Sequence, residues 1–124
     1  MITAELKNIY FNGDIKDKNH AQLIMSASHS FCLNLCLDIG EKGLDGGNYF
    51  YTTVVNLNWL INEIKKERGV LEESLIVVDN FEDFNDLEIF IRNKINEISG
   101  YTWNDVLKKL RHVFFWEYEE HKIV

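Results

Sequence analysis

The residues that could act as nucleophiles or general bases are few and scattered. Two thiols stand four positions apart, and four imidazoles are spread along the chain: Cys32, Cys36, His20, His29, His112 and His121. A catalytic cysteine needs a neighbouring group that favours its thiolate form, and nothing near Cys36 in the sequence suggests one. The motifs of serine hydrolases, P-loops, dinucleotide-binding turns and zinc proteases do not occur. We predict no catalytic residue, so a hydrolase that uses Cys36 or paired carboxylates is the third-ranked interpretation.

The two cysteines are predicted to form neither a disulfide with each other nor a metal site. If they lie on one strand, their Cα atoms are about 13 Å apart, whereas a disulfide requires less than about 7 Å. Two free thiols suit a reducing compartment, and the first residues show no basic segment followed by an apolar stretch. We therefore expect a cytoplasmic location. Four scattered histidines give no metal-ligand spacing with the cysteines, so no metal or cofactor is predicted.

Acidic residues form the most informative pattern. They fall into three clusters, one at a glycine-rich turn, one in a middle segment and one near the end: Asp38, Glu41 and Asp45; Asp79, Glu82, Asp83 and Asp86; Glu117, Glu119 and Glu120. The plainer interpretation is that such acids are solvated or complement helix dipoles. As a set without a catalytic motif, they predict a docking surface for a basic protein, because complementary charge speeds association and selects partners.

Chain length, net charge and the length of the apolar runs limit the classes of partner that the protein can bind. The chain has 124 residues, enough for one domain over residues 1–124, and 13 basic against 20 acidic side chains give a net charge of −7. A phosphate backbone would be repelled by this balance, so we expect no nucleic-acid partner. The apolar runs are far shorter than the roughly 20 residues of a membrane span, so we expect a soluble protein. The oligomeric state stays open.

Hydrophobic periodicity predicts the elements that carry these residues. We expect strands over residues 3–10, 30–39, 48–55 and 75–78, the last covered on both faces because its residues are all apolar. Helices should begin at Asn56, Asp83 and Thr102, and the first two should end at Gly69 and Gly100. Residues 12–28 are predicted to form a loop with one helical turn at most. The fold class is α+β, a mostly antiparallel four-stranded sheet packed against about three helices.

Three stretches resemble the immunity protein 8 family of bacterial polymorphic toxin systems: F-C-L-N-L-C-L-D-I-G-E-K-G-L-D-G-G-N-Y-F, T-V-V-N-L-N-W-L and Y-T-W-N-D-V-L-K-K-L-R-H-V-F-F-W-E-Y-E-E. The matching positions are Ile39, Gly40, Lys42, Gly43, Gly47, Phe50, Trp59, Leu60, Trp103, Leu110, Trp116, Glu117 and Glu119. The resemblance covers Phe31 to His121. The chain departs from the family pattern at Asn56 and Leu57, where Thr-Pro is common, and residues 12–28 match nothing in it.

The resemblance implies an antidote that binds a cognate C-terminal toxin domain one-to-one and blocks it. Many such domains are nucleases, whose phosphate-binding faces are basic, and an acidic inhibitor suits them. On this interpretation the ten acids of the three clusters are the expected toxin contacts. The alternative is an acidic adaptor module outside any toxin system, in which the clusters serve solubility alone.

Overall fold

Strand β2 (Cys32–Glu41) forms the middle of a curled sheet in the computed structural model, which describes residues 1–72, 74–81 and 83–118. It pairs antiparallel with β1 (Ile2–Phe11) on one side and with β3 (Asn48–Asn56) on the other. The order across the sheet is β4 (Leu75–Val78), β3, β2, β1 and β5 (Ser99–Gly100), and β6 (Phe115–Trp116) also pairs with β3. Strand β4 runs parallel to β3.

One face of this sheet forms the core with three helices. The helices of the described chain are α1 (Lys18–Ala27), α2 (Leu57–Glu67), α3 (Phe84–Asn96) and α4 (Trp103–Val113). The odd-numbered residues 33 to 39 of β2 are fully buried, because side chains of a strand alternate between its faces. They belong to one cluster with Met25 of α1, Ile91 of α3 and Leu110 of α4. Helix α2, which joins β3 to β4, has no buried residue.

The predicted combination of helices with a largely antiparallel sheet is confirmed, but the count of four strands and three helices is wrong. Helix α1 occupies the segment predicted as a loop. Its apolar face is narrow, since only Ala21 and Met25 are buried, and Asp17 caps it by accepting from the His20 N–H at 2.8 Å. Strands β5 and β6 have two residues each, too few for any periodicity.

Two further details differ from the predictions. Strand β4 has the predicted bounds, but it lies at the edge of the sheet with Val77 42% exposed, so its apolar run does not indicate cover on both faces. Helix α2 is closed by Arg68 in the left-handed conformation, with φ 68°, instead of by Gly69. Gly100 does not end α3, because it belongs to β5 and packs against Asp105.

The three predicted helix caps are confirmed. Asn56 accepts from the Trp59 N–H at 3.0 Å and Asp83 from the Asn85 N–H at 2.8 Å. Thr102 and Asp105 form a reciprocal capping box at the start of α4. Within the described ranges, no helix combines the length and the hydropathy that a membrane span requires.

Candidate functional site

The face of the sheet opposite the core carries three tyrosines on adjacent strands. Cys36 of β2 pairs with Tyr10 on β1 and with Tyr51 on β3, and Asp38 pairs with Tyr49. Phe115 of β6 pairs with Tyr51 on the far side of β3. We call this surface the tyrosine face, and it consists of Tyr10, Cys36, Asp38, Tyr49, Tyr51, Phe115 and Glu117. The pairing brings together residues that are far apart in the sequence.

The three tyrosine rings are partly exposed, and those of Tyr10 and Tyr49 are held against each other. Tyr10 is 44% exposed, Tyr49 42% and Tyr51 37%. Tyr10 and Tyr49 pack edge to face with ring centroids 6.0 Å apart, and Asn8 donates its side-chain N–H to the Tyr10 hydroxyl at 3.2 Å. Rings held in this way lose little conformational freedom when a partner covers them.

Two carboxylates are positioned beside these rings by the backbone. Glu117 donates its N–H to the Tyr49 carbonyl at 3.0 Å and accepts the Tyr49 N–H on Oε1 at 3.2 Å. Asp38 is placed at the other side of β3 by close packing on Gly47, where an added Cβ would collide with the Asp38 carboxylate and the Ile39 carbonyl. The absence of a side chain at Gly47 therefore permits the close approach to the Ile39 carbonyl and leaves room for the Asp38 carboxylate.

The electrostatics of this face are acidic. Burial raises the pKa of the Cys36 thiol to about 11, and the charges of Glu117 and Asp38 add to the shift. Neighbouring Tyr10 and the Asp38 carboxylate raise the pKa of Tyr49, while burial and then the Cys36 thiol raise that of Tyr51. At neutral pH the two phenols are therefore hydroxyl donors and the thiol is not ionised, which argues against Cys36 as a nucleophile.

A cavity of about 420 Å³ adjoins the tyrosine face near Tyr51. Its lining includes Asn12, Asn34, Glu72 and Phe115. Asn34 is held in place because its side-chain oxygen accepts from the Thr53 hydroxyl at 3.0 Å. The cavity combines an aromatic wall with a carboxylate and amides, so it suits a polar or cationic side chain.

The comparison with protein families decides the identity. A family model described as immunity protein 8 matches residues 4–121. The chain belongs to the immunity protein 8 family. The match confirms the resemblance and extends it at the amino-terminal end, through the segment that contains α1. No curated protein and no solved structure matches the chain significantly.

Membership in the immunity protein 8 family makes the chain an immunity protein of a toxin system. The structure gives some of the motif residues a physical role. Gly47 leaves room for the Asp38 carboxylate, and Gly40 packs against the backbone carbonyl of Gly46 in the hairpin of β2 and β3. Glu117 fixes β6 to Tyr49. These motif residues thus build the end of the sheet where the tyrosine face lies.

The predicted acids that the structure describes lie at two ends of the sheet. Asp38 and Glu117 lie on the tyrosine face, and both act on the pKa of Cys36. Glu41 ends β2 and Asp45 lies in the turn that follows, beside a smaller cavity that also contacts Trp103. The structure therefore brings Asp38 of the first cluster close to Glu117 of the third cluster.

The middle cluster lies at the opposite end of the sheet. Asp79 follows Val78, which pairs with Asn56, whereas Asp38 pairs with Tyr49. Seven strand residues at about 3.3 Å each separate these two positions by about 23 Å. Asp83 caps α3 and Asp86 occupies its first turn, so both also have the helix-dipole role of the plainer interpretation. Glu82, Glu119 and Glu120 lie outside the described residues.

Sequence reasoning missed the three tyrosines. The signal was present in N-Y-F-Y-T-T, where alternation places Tyr49 and Tyr51 on the face opposite the buried Phe50. A contiguous exposed patch of such residues is typical of a surface that binds a partner. Among the described residues, no group of three His, Cys, Asp or Glu side chains could hold a metal ion. His121 is outside that range.

Proposed function

We propose that this protein neutralises a cognate toxin domain by one-to-one binding in the cytoplasm, as an inhibitor without catalytic activity of its own. The observation that carries the proposal is the family match, which spans residues 4–121. An inhibitor of this kind acts by occupying its target, so it needs a large and complementary surface and no reactive group. The tyrosine face supports this proposal, since its rings are partly exposed and its thiol is not ionised at neutral pH.

The charge of the protein favours a nuclease as the target. A nuclease domain presents a basic surface to the phosphates of its substrate, and a protein of net charge −7 is attracted to such a surface over long range. Electrostatic attraction raises the rate of association, which matters for an antidote that must bind before the toxin acts. The toxin in this proposal is a basic carboxy-terminal domain, encoded next to the immunity gene.

The acids of the three clusters are the proposed charged contacts. Those at the hairpin end of the sheet are Asp38, Glu41, Asp45 and Glu117, and those at the other end are Asp79, Asp83 and Asp86. Glu82, Glu119 and Glu120 complete the set. Because the two ends are about 23 Å apart along β3, a single toxin domain would need a broad contact to reach both. Contact with the hairpin end alone is the simpler geometry.

Co-expression with the toxin domain encoded immediately upstream tests the proposal. The expected result is survival of the bacterium, with a stable one-to-one complex on co-purification and no loss of covalent integrity in the toxin. Killing in the presence of abundant folded protein would contradict the proposal and favour the adaptor interpretation. Substoichiometric protection would contradict simple occupancy and indicate turnover.

A pair of charge-reversal variants then assigns the middle cluster. Asp79→Lys with Asp86→Lys alters this cluster while leaving the Asp83 cap of α3 in place. The matched control is Glu67→Lys with Glu97→Lys, which changes the net charge equally at exposed positions outside the clusters. Weaker protection by the first pair only would support the cluster as a contact. Equal protection by both pairs would remove it from the proposed interface.

A further inference from the structure

We propose that the tyrosine face is the toxin-binding surface and that it receives a basic segment of the toxin, with a lysine or arginine side chain placed against the tyrosine rings between Asp38 and Glu117. This inference rests on the proposed function, because it names the site and the chemistry of that binding. It is independent of the middle acidic cluster.

The composition of the surface is that of an interface core. The chain has 5 tyrosines, and three of them meet on adjacent strands of this one face. Tyrosine is among the residues that contribute most to protein interfaces, since it buries a large ring and also offers a hydroxyl donor. Leaving three such rings on a sheet face costs apolar exposure in the free protein, which a partner would remove.

The charge of the surface selects the partner. The ionised side chains that raise the pKa values of Cys36 and Tyr49 are Asp38 and Glu117, both acids. On β1, the Lys7 ammonium is already held by the Glu5 carboxylate at 2.6 Å and by the Leu44 carbonyl at 2.7 Å. In the described part of the chain, no salt bridge involves the Asp38 or Glu117 carboxylate, so both can meet a cation from a partner.

Aromatic rings strengthen this preference for a cation. A guanidinium or ammonium group over the face of a tyrosine gains from about 0.5 kcal/mol when exposed to about 2 kcal/mol when desolvated. The adjoining cavity, with Tyr51 and Phe115 on its wall and Glu72 at its lining, offers a place for a second long side chain. Both positions repel a phosphate, and two copies of this acidic face would repel each other.

Calorimetry with the purified, catalytically inactivated toxin domain tests the inference. The variants are Tyr10→Thr and Tyr51→Thr, which replace each ring with another residue that strands favour, and Asp38→Asn. The matched controls are Tyr101→Thr, at a tyrosine that is 83% exposed, and Glu97→Gln, at an exposed acid outside the three clusters. We expect each tyrosine variant of the face to raise Kd at least about 10-fold. Asp38→Asn should weaken binding and flatten its dependence on salt, and the controls should stay within about twofold.

The outcomes separate the two proposals. Urea unfolding of each variant first establishes that the fold is retained. Tight binding by the unaltered protein with no effect of the face variants would overturn this inference and leave the proposed function standing. Equal weakening by face and control variants would also overturn it, because binding would then not be localised. Absence of binding by the unaltered protein would overturn the proposed function and this inference together.

Discussion

The two faces of β2 and β3 are made by alternate residues of the same strands, yet one face packs in the core and the other carries the exposed tyrosines. Leu35 and Leu37 are fully buried beneath the helices. Their neighbours Cys36 and Asp38 point to the opposite face, which carries the partly exposed tyrosines. One face is thus closed by the chain itself and accounts for most of the core. The other is buried at Val55 but exposed at the tyrosines, where it is available for binding.

This difference separates stability from function along a single strand. A residue change on the covered face removes packing that only this chain supplies. A change on the tyrosine face removes contacts that contribute little to folding and more to the binding of a partner. Adjacent positions should therefore give opposite phenotypes, and the predictions that follow test this contrast.

The largest effect is expected at the covered face. Leu37→Ala should lower the free energy of unfolding by about 2–5 kcal/mol, because it leaves a cavity in a fully buried site. The adjacent Asp38→Ala should change the free energy by about 0.5 kcal/mol or less. Urea unfolding followed by circular dichroism measures both. Similar losses at the two positions would contradict the division of the strand into two functions.

Thiol reactivity probes the open face. Because the pKa of Cys36 is raised from 9.0 to about 11, its thiolate is about 100-fold scarcer at pH 8 than in an ordinary cysteine, and only the thiolate reacts. In a Cys32→Ser background, alkylation of Cys36 should be at least that much slower than in the urea-unfolded chain. Its rate should keep rising with pH toward about 11. Fast alkylation at pH 8 would restore Cys36 as a candidate nucleophile.

The next largest effect on the free energy of unfolding is expected at Asn56, a polar residue on the covered face. Asn56 is 1% exposed, accepts the N–H groups of Phe31 and Trp59, and donates to the His29 carbonyl and the Asn80 side chain. Asn56→Ala should cost about 2 kcal/mol, since it removes a helix cap and leaves buried groups unpaired.

Asn58→Ala is the matched control for that substitution. Asn58 donates to the same His29 carbonyl at 2.9 Å but is only half-buried. Its loss should cost less than about 1 kcal/mol. Thermal unfolding of both variants compares them. An Asn56→Ala variant no less stable than Asn58→Ala would show that the buried network contributes little.

The smallest effect is expected between the rings of the open face. A double-mutant cycle with Tyr10→Thr and Tyr49→Thr should give a coupling energy of about 1 kcal/mol, because the rings meet edge to face at 6.0 Å. Urea unfolding of the single and double variants supplies the values. A coupling energy near zero would mean that the rings are not held against each other in the free protein.

Much of the covered face could be predicted from the sequence. The alternation over residues 30–39, the helical spacing and the caps at Asn56, Asp83 and Thr102 depend on local patterns, and the structure confirms the caps. Helix α1 and the strands β5 and β6 could not be predicted in this way. Their stability comes from contacts with distant elements, such as the hydrogen bond of the Ala4 N–H to the Ile98 carbonyl beside β5.

The open face was harder to predict because its residues meet only through pairing. Glu117 reaches Tyr49 across 68 positions in the chain, and no local pattern links them. The acid clusters predict a charged surface, and two of their members, Asp38 and Glu117, lie together on the tyrosine face. The sequence pattern predicts that the tyrosines lie in strands, but the sequence analysis did not predict which face of the sheet they occupy.

Hydroxyl-radical footprinting of the protein, free and bound to its toxin domain, tests the central claim most directly, because it needs no substitution. Labelling of each tyrosine is read by mass spectrometry. The account predicts that labelling of Tyr10, Tyr49 and Tyr51 falls in the complex while that of the exposed Tyr101 stays unchanged. Unchanged labelling of the three tyrosines in a stable complex would contradict the claim that the open face binds the toxin.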